Sequence, residues 1–117
     1  TWWKVPMLVD PEVIPGGPRA LAAVLGAHGV ASAPRYIQKP AFECAVFRDQ
    51  RAFGSSRWPF TLARGDAVDY RRDRFPGTYQ YLERVLVLPW NERYDEGHAD
   101  AVASIVGDAV AQVMDAR

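Results

Sequence analysis

The sequence contains a single cysteine, Cys44, and only two histidines, His28 and His98. One cysteine cannot form an internal disulfide framework, which agrees with a reducing compartment such as the cytoplasm. No pair among these three residues has the spacing typical of zinc sites, so no metal site is predicted. Because Cys44 also has no identifiable histidine partner, we interpret it as a small buried hydrophobic residue and not as a nucleophile.

Long apolar runs are also absent. A membrane-spanning helix needs about 20 apolar residues, and the first residues lack the charged and apolar regions of a secretion signal. With 117 residues, 49% hydrophobic and 24% charged, the chain has the composition of one ordinary globular domain, residues 1–117. We therefore expect a cytoplasmic protein that does not enter a membrane.

The chain does not begin with methionine but with Thr1, Trp2 and Trp3. Two tryptophans at the start of a strand need a covering surface, so we expect a segment of a longer polypeptide. The alternative is that an initiator methionine or a tag has been removed.

Net charge is also absent, because fourteen basic residues balance fourteen acidic ones. Yet residues 35–75 hold nine of the fourteen basic, eight of the fourteen aromatic and five of the fourteen acidic residues, so this stretch carries +4. Irregular segments longer than about 12–15 residues are usually functional or disordered, and disordered segments are poor in aromatic residues. We interpret residues 35–77 as a loop-rich cationic and aromatic segment that faces an anionic ligand. Nucleic acid is not the expected partner, because domains that bind it are usually basic overall.

Regular elements are predicted on both sides of this segment. Pro18 suits the first turn of a helix and Gly29 its end. The apolar run 85–88 shows no alternation, which predicts a strand buried on both faces, and Asp95 or a neighbouring residue is predicted to cap a final amphipathic helix. The predicted elements are a strand over 1–9, a helix over 18–28, an edge strand within 30–37, a helical turn over 78–84, a strand over 85–88 and a helix over 95–115. This order predicts an α/β (α+β) fold, in which helices pack on one face of a small antiparallel or mixed sheet.

Several polar residues have structural interpretations. His28 is predicted near the end of its helix, where an imidazole can pair with free backbone carbonyls. Asp66 and Asp69 precede Arg71, Arg72 and Arg74, and acids so placed predict a solvated ion-pair surface.

Four sequence patterns occur in a characteristic order. They are WWKVPMLVD, PRALAAVLGAHGV, RYIQKPAF and VLVLPWNERYDEGHADAVASIVGDAV. In this order they resemble the C-terminal small domain of the DegT/StrS family of sugar aminotransferases. The matching elements are Trp3–Asp10, Leu25–Val30, Tyr36–Pro40 and Arg84–Pro89, and the resemblance covers nearly the whole chain.

The resemblance implies the small domain of a type I aminotransferase that depends on pyridoxal phosphate (PLP). Its parent, expected to be a homodimer, would move an amino group from glutamate or glutamine to a keto-sugar or keto-cyclitol. The family's Schiff-base lysine, the aspartate beside the pyridine nitrogen and most phosphate contacts belong to a large N-terminal domain, which is the expected partner. Neither lysine of this chain, Lys4 or Lys39, lies in a matching context. We therefore expect no catalytic residue, no bound cofactor and no activity in this 117-residue chain alone.

In type I folds the active site lies between the large and small domains, so the resemblance implies contacts with the substrate. The basic candidates are Lys39, Arg57 and Arg35, and the other candidates are Tyr36, Trp58 and Asn91. A guanidinium or ammonium group can bind a donor carboxylate or a sugar-nucleotide phosphate, and the other side chains can shape the pocket. Ordinary surface pairing or packing explains each of them equally well.

A second class of function remains open. The chain is then a free-standing module without catalytic activity. It either binds a small molecule through its basic face or forms a dimer through Trp2, Trp3 or the last helix.

Overall fold

The computed structural model describes residues 3–116, which form two compact units. One unit combines residues up to 36 with residues from 81 onward, and the other comprises Ile37–Gln80. The regular elements are β1 (Lys4–Leu8), α1 (Gly17–Ala27), β2 (Ala33–Pro34), α2 (Ala45–Arg48), α3 (Pro76–Arg84), β3 (Val85–Pro89) and α4 (Glu96–Asp115). The strands form one antiparallel sheet with the order β1-β3-β2, which confirms the predicted mixed α/β class. Among residues 3–116, no helix combines the length and the apolar character that crossing a lipid bilayer requires.

The central strand is β3, and the prediction that it is buried on both faces is confirmed because residues 85–88 are all buried. Directly opposed residues of antiparallel strands point to the same face. Leu86 and Leu88 therefore share a face with their β1 partners Met7 and Val5. Helices α1 and α4 pack on this face, as expected, around a core formed by Val9, Leu21, Leu25, Leu86, Leu88 and Ala109.

Pro6, in the middle of β1, lies where its missing N–H removes no hydrogen bond of the sheet. Val9 N–H donates to the Arg84 carbonyl, and Trp90 N–H donates to the Trp3 carbonyl, both at 2.8 Å. Alternate residues of a strand bond in the same direction, so odd-numbered residues of β1 face β3. Pro6 consequently faces the open edge, where proline is tolerated and interrupts the row of free donors.

Strand β2 forms the opposite edge of the sheet, which confirms the predicted edge strand, although β2 covers only two residues. The Arg35 N–H donates to the Val85 carbonyl at 2.9 Å, so Pro34 also faces away from β3. Arg35 has a φ of 50°. This left-handed conformation follows directly after β2, so the strand ends at Pro34 and does not reach residue 37, the predicted limit.

The predicted boundaries of the first and last helices are confirmed to within a residue. The structural interpretation of His28 agrees with its contact, in which Nε2 lies 3.3 Å from Gln112 Oε1 of α4, a side-chain oxygen and not a free backbone carbonyl. The ring thereby joins the C-terminal parts of two helices. The predicted turn over 78–84 begins earlier, at Pro76, since proline suits the first turn of a helix.

The first turn of α4 is capped as predicted. Asp95 Oδ1 accepts from the His98 N–H at 3.0 Å, and the His98 Nδ1 lies 2.6 Å from the same oxygen. The bond from the His98 N–H, followed by the contact with the His98 ring, holds the pKa of Asp95 below its usual value. Tyr94 stacks on the His98 ring with 5.3 Å between centroids and meets Trp90 edge-on at 5.0 Å.

The unit Ile37–Gln80 consists of short turns around aromatic side chains. Besides α2 it contains the 3-10 turns Ala41–Glu43, Phe60–Leu62, Gly65–Val68 and Arg72–Arg74. Phe47, Phe60 and Tyr70 meet edge-on, with 5.5 to 6.4 Å between ring centroids. The prediction that Cys44 is buried is wrong, because the residue is only half-buried. It lies directly before α2, a helix of four residues of which none is buried.

Candidate functional site

A pocket of about 440 Å³ lies within the unit Ile37–Gln80. Its walls come from the end of α2 and from the turn and loop around residues 65–71. The lining residues are Arg48, Gln50, Gly65, Val68, Asp69, Tyr70 and Arg71. This volume is in the range of small-molecule pockets, and the lining combines an aromatic ring, an amide, a carboxylate and two guanidinium groups.

Gln50 connects the two walls of this pocket. Its Nε2 donates to the Val68 carbonyl at 2.9 Å, and its Oε1 accepts a hydrogen bond from Arg57 Nη2. Gln50 has a φ of 50°, a left-handed conformation that residues other than glycine rarely adopt. Its bonds to two distant segments hold the pocket wall in place.

Arg71 is held by Asp69 through two parallel hydrogen bonds of 2.9 Å, from Nε to Oδ1 and from Nη2 to Oδ2. Arg74 Nε lies 3.7 Å from the same carboxylate. The hydrogen bonds from Arg71 lower the pKa of Asp69 to about 2, so this carboxylate is ionised at neutral pH. The predicted ion-pair surface is confirmed for Asp69, which contacts Arg71 and Arg74. Asp66 instead lies 3.5 Å from Arg64 Nε, and Arg72 lies over the Tyr79 ring.

Arg48 is held in the same way by Asp49. Its Nε lies 2.8 Å from Oδ1 and its Nη2 lies 3.1 Å from Oδ2. The bond from Arg48 lowers the pKa of Asp49, and the nearby charge of Arg51 lowers it further. Each of the two guanidinium groups is thus fixed in orientation by a bidentate contact.

A smaller pocket of about 180 Å³ lies in the other unit. Its walls are mostly apolar and include Ala33, Val87 and Pro89, with Lys4 and Tyr36 at the rim. The Lys4 ammonium group lies 4.5 Å from the centroid of the Tyr36 ring and also over the Trp3 ring. Through these cation–π contacts, Lys4 packs against aromatic rings of its own unit.

Three predicted substrate-binding residues, Arg35, Tyr36 and Asn91, belong to the unit with the sheet. Arg35 lines a pocket of about 130 Å³ together with Glu83. The Asn91 side-chain oxygen accepts the Arg93 N–H at 2.9 Å, which gives Asn91 a role in the turn after β3.

The other three predicted residues, Lys39, Arg57 and Trp58, belong to Ile37–Gln80. Arg57 bonds to Gln50 and therefore lies beside the 440 Å³ pocket. The Trp58 ring is 53% exposed and lies 5.8 Å from the Phe53 ring, while Lys39 lies exposed in the loop before the first 3-10 turn.

Sequence reasoning missed the pocket residues Arg48, Gln50 and Arg71. Their only signal is the alternation of arginine with aspartate at Arg48-Asp49 and Asp69-Tyr70-Arg71. That alternation is typical of any solvated surface, so it does not by itself indicate a pocket.

Comparisons with protein-family models, with curated proteins and with solved structures found no match to this chain. Among residues 3–116, no three His, Cys, Asp or Glu side chains are grouped closely enough to hold a metal ion.

The described residues do not fit PLP. A PLP site needs a lysine facing a cavity, together with partners for the pyridine nitrogen and the phosphate. Lys4 lies at the rim of the 180 Å³ pocket, whose described lining includes no acid for the pyridine nitrogen and no arginine for the phosphate. Lys39 is exposed in a loop, and neither lysine lines the 440 Å³ pocket.

Proposed function

We propose that this chain is the small domain of a PLP-dependent sugar aminotransferase. The parent enzyme moves an amino group from glutamate or glutamine to a keto-sugar or keto-cyclitol and acts as a cytoplasmic homodimer. The large domain carries the cofactor and the Schiff-base lysine. This chain contributes groups that bind substrate and is inactive alone.

One observation carries the proposal: the order of elements agrees with the resemblance in the sequence. Strand β1 (Lys4–Leu8) lies within the pattern WWKVPMLVD, the helix α1 ends before the Gly29 turn, and VLVLP forms the central strand before α4. Both helices cover the same face of the sheet, as the resemblance implies for such a small domain.

The charge of the unit Ile37–Gln80 gives further support. Its cations include the guanidinium groups of Arg48, Arg57 and Arg71, which lie at or beside a pocket of small-molecule size. A domain that closes over a substrate excludes water and strengthens charged contacts with it. Fixed guanidinium groups are suited to the anionic part of a substrate or an amino donor.

A second candidate function is a free-standing module that binds a small molecule. It is favoured by the composition of the pocket, because every lining residue lies within Ile37–Gln80. Ligand binding at this place requires no residue from another domain.

The coding DNA directly upstream of the Thr1 codon tests the proposal. We expect an open reading frame that continues upstream into a large domain with a Schiff-base lysine. The full-length protein should then aminate a keto-sugar or keto-cyclitol with glutamate or glutamine as donor. A stop codon followed by a ribosome-binding site before this chain would contradict the proposal and support the free-standing module.

We also predict that the 117-residue chain forms no specific Schiff base with PLP. After reduction with borohydride, peptide mass spectrometry should find only trace labelling of Lys4 and Lys39, because neither lies in a cofactor cavity. The chain in urea is the matched control and should show similar trace labelling. Stoichiometric labelling of either lysine in the folded chain alone would refute this prediction.

A further inference from the structure

The rim of the 440 Å³ pocket carries more positive than negative charge. Asp49 lies within the field of Arg48 and Arg51, and Asp69 lies within the field of Arg71 and Arg74. Of these residues only Arg48, Asp69 and Arg71 line the pocket, and together they carry a formal charge of +1. Asp73 also lies within the field of Arg71.

Arg57 adds a further positive charge beside the same pocket. Its Nη2 donates to the side chain of Gln50, which lines the pocket. Because the acceptor is a neutral amide, this hydrogen bond leaves the positive charge of Arg57 uncompensated.

The two arginines that line the pocket are held in position before any ligand binds. In both Arg48 and Arg71, Nε and Nη2 donate to the two carboxylate oxygens of the paired aspartate. The Nη1 amino group takes no part in these two bonds. A guanidinium already fixed in orientation loses less side-chain entropy when it binds a second partner. Gln50 fixes the wall between these two arginines through Val68.

We propose that this pocket binds the phosphate group of a phosphate ester. A phosphate monoester carries a charge near −2 and three acceptor oxygens, and these oxygens match the separate N–H donors of Arg48, Arg57 and Arg71. A carboxylate has one negative charge and two oxygens, so it would satisfy fewer of these donors. The volume leaves room for the group that carries the phosphate, beside the Tyr70 ring.

The phosphate site follows from the pocket alone, whereas its role as a substrate subsite rests on the proposed function. In an aminotransferase, this site would select a keto substrate that bears a phosphate group. Binding can be measured on the 117-residue chain without any transamination, so failure of the site and failure of the proposed function are distinguishable.

Isothermal titration of the chain with inorganic phosphate and with glucose 1-phosphate, at low ionic strength, tests the site. Both ligands should bind, and Arg48→Gln and Arg71→Gln should each weaken binding by roughly tenfold, as expected for loss of a charged hydrogen bond. Tighter binding of glucose 1-phosphate than of inorganic phosphate would show that the ring adds contacts, and equal binding would identify the phosphate as the whole ligand. Because the site is exposed, both affinities should fall with added salt.

Arg93→Gln is the matched control, since it removes one positive charge from an exposed residue of the other unit and should change phosphate affinity less than twofold. Arg71→Lys keeps the charge but loses the planar fork, and it should bind phosphate more weakly than the unmodified chain. Both pocket arginines have side chains at least 65% exposed, and near-ultraviolet circular dichroism checks that each variant is folded. The proposal is overturned if neither ligand binds, if Arg48→Gln and Arg71→Gln bind as well as Arg93→Gln, or if glutamate binds as tightly as phosphate.

Discussion

Leu86→Ala is expected to lower the free energy of unfolding by about 3–5 kcal/mol. Leu86 lies in the middle of the central strand and is 0% exposed. It packs in the cluster formed with Leu25, Leu88 and Ala109. Truncation removes buried apolar surface and leaves a cavity between the sheet and the helices. Urea unfolding followed by far-ultraviolet circular dichroism measures the change.

Leu8→Ala is the control for this substitution, because Leu8 belongs to the same sheet but is 65% exposed on an edge strand. Its effect should stay within about 0.5 kcal/mol, the usual range for surface positions. Similar losses from both substitutions would contradict the assignment of the core to the face that carries Leu86.

The second large effect is expected at Gly16, the residue before α1. It has a φ of 74°, and an added Cβ would lie 2.8 Å from the Cβ of Ala20. Gly16→Ala therefore combines backbone strain with a steric clash, and it should lower the free energy of unfolding by about 2 kcal/mol. The same urea titration measures the change.

Gly107→Ala is the matched control for Gly16→Ala. Gly107 lies inside α4, and a Cβ added there meets no atom within 4 Å. Alanine loses less conformational entropy than glycine in a helix, so this variant should be more stable by about 0.5–1 kcal/mol. Effects of the same sign at Gly16 and Gly107 would show that the left-handed turn before α1 is not required.

The regular elements were predictable because their signals are local. Pro18 and Gly29 bracket α1, Asp95 caps α4, and the unbroken apolar run of β3 indicates its burial. Each signal lies within one or two turns of the element that it determines. The shortness of β2 was not predictable, since it depends on the left-handed conformation of Arg35.

The candidate site was predictable only in part. The sequence indicated a cationic and aromatic segment, and one of its predicted residues, Arg57, lies beside the pocket through Gln50. The residues that line the pocket come from two stretches, around 48–50 and 65–71. No periodic pattern connects these stretches, because short 3-10 turns and loops repeat neither every two nor every 3.6 residues.

The sequence by itself determined the α/β class, the ends of α1 and α4 and the central strand, because caps, prolines and apolar runs act on neighbouring residues. Only the tertiary structure decided which distant residues meet. It paired His28 with Gln112, joined Gln50 to Val68, and placed Arg48 and Arg71 around one pocket. The physical reason is that such contacts depend on how the whole chain packs, and a side chain carries no local mark of a partner far along the sequence.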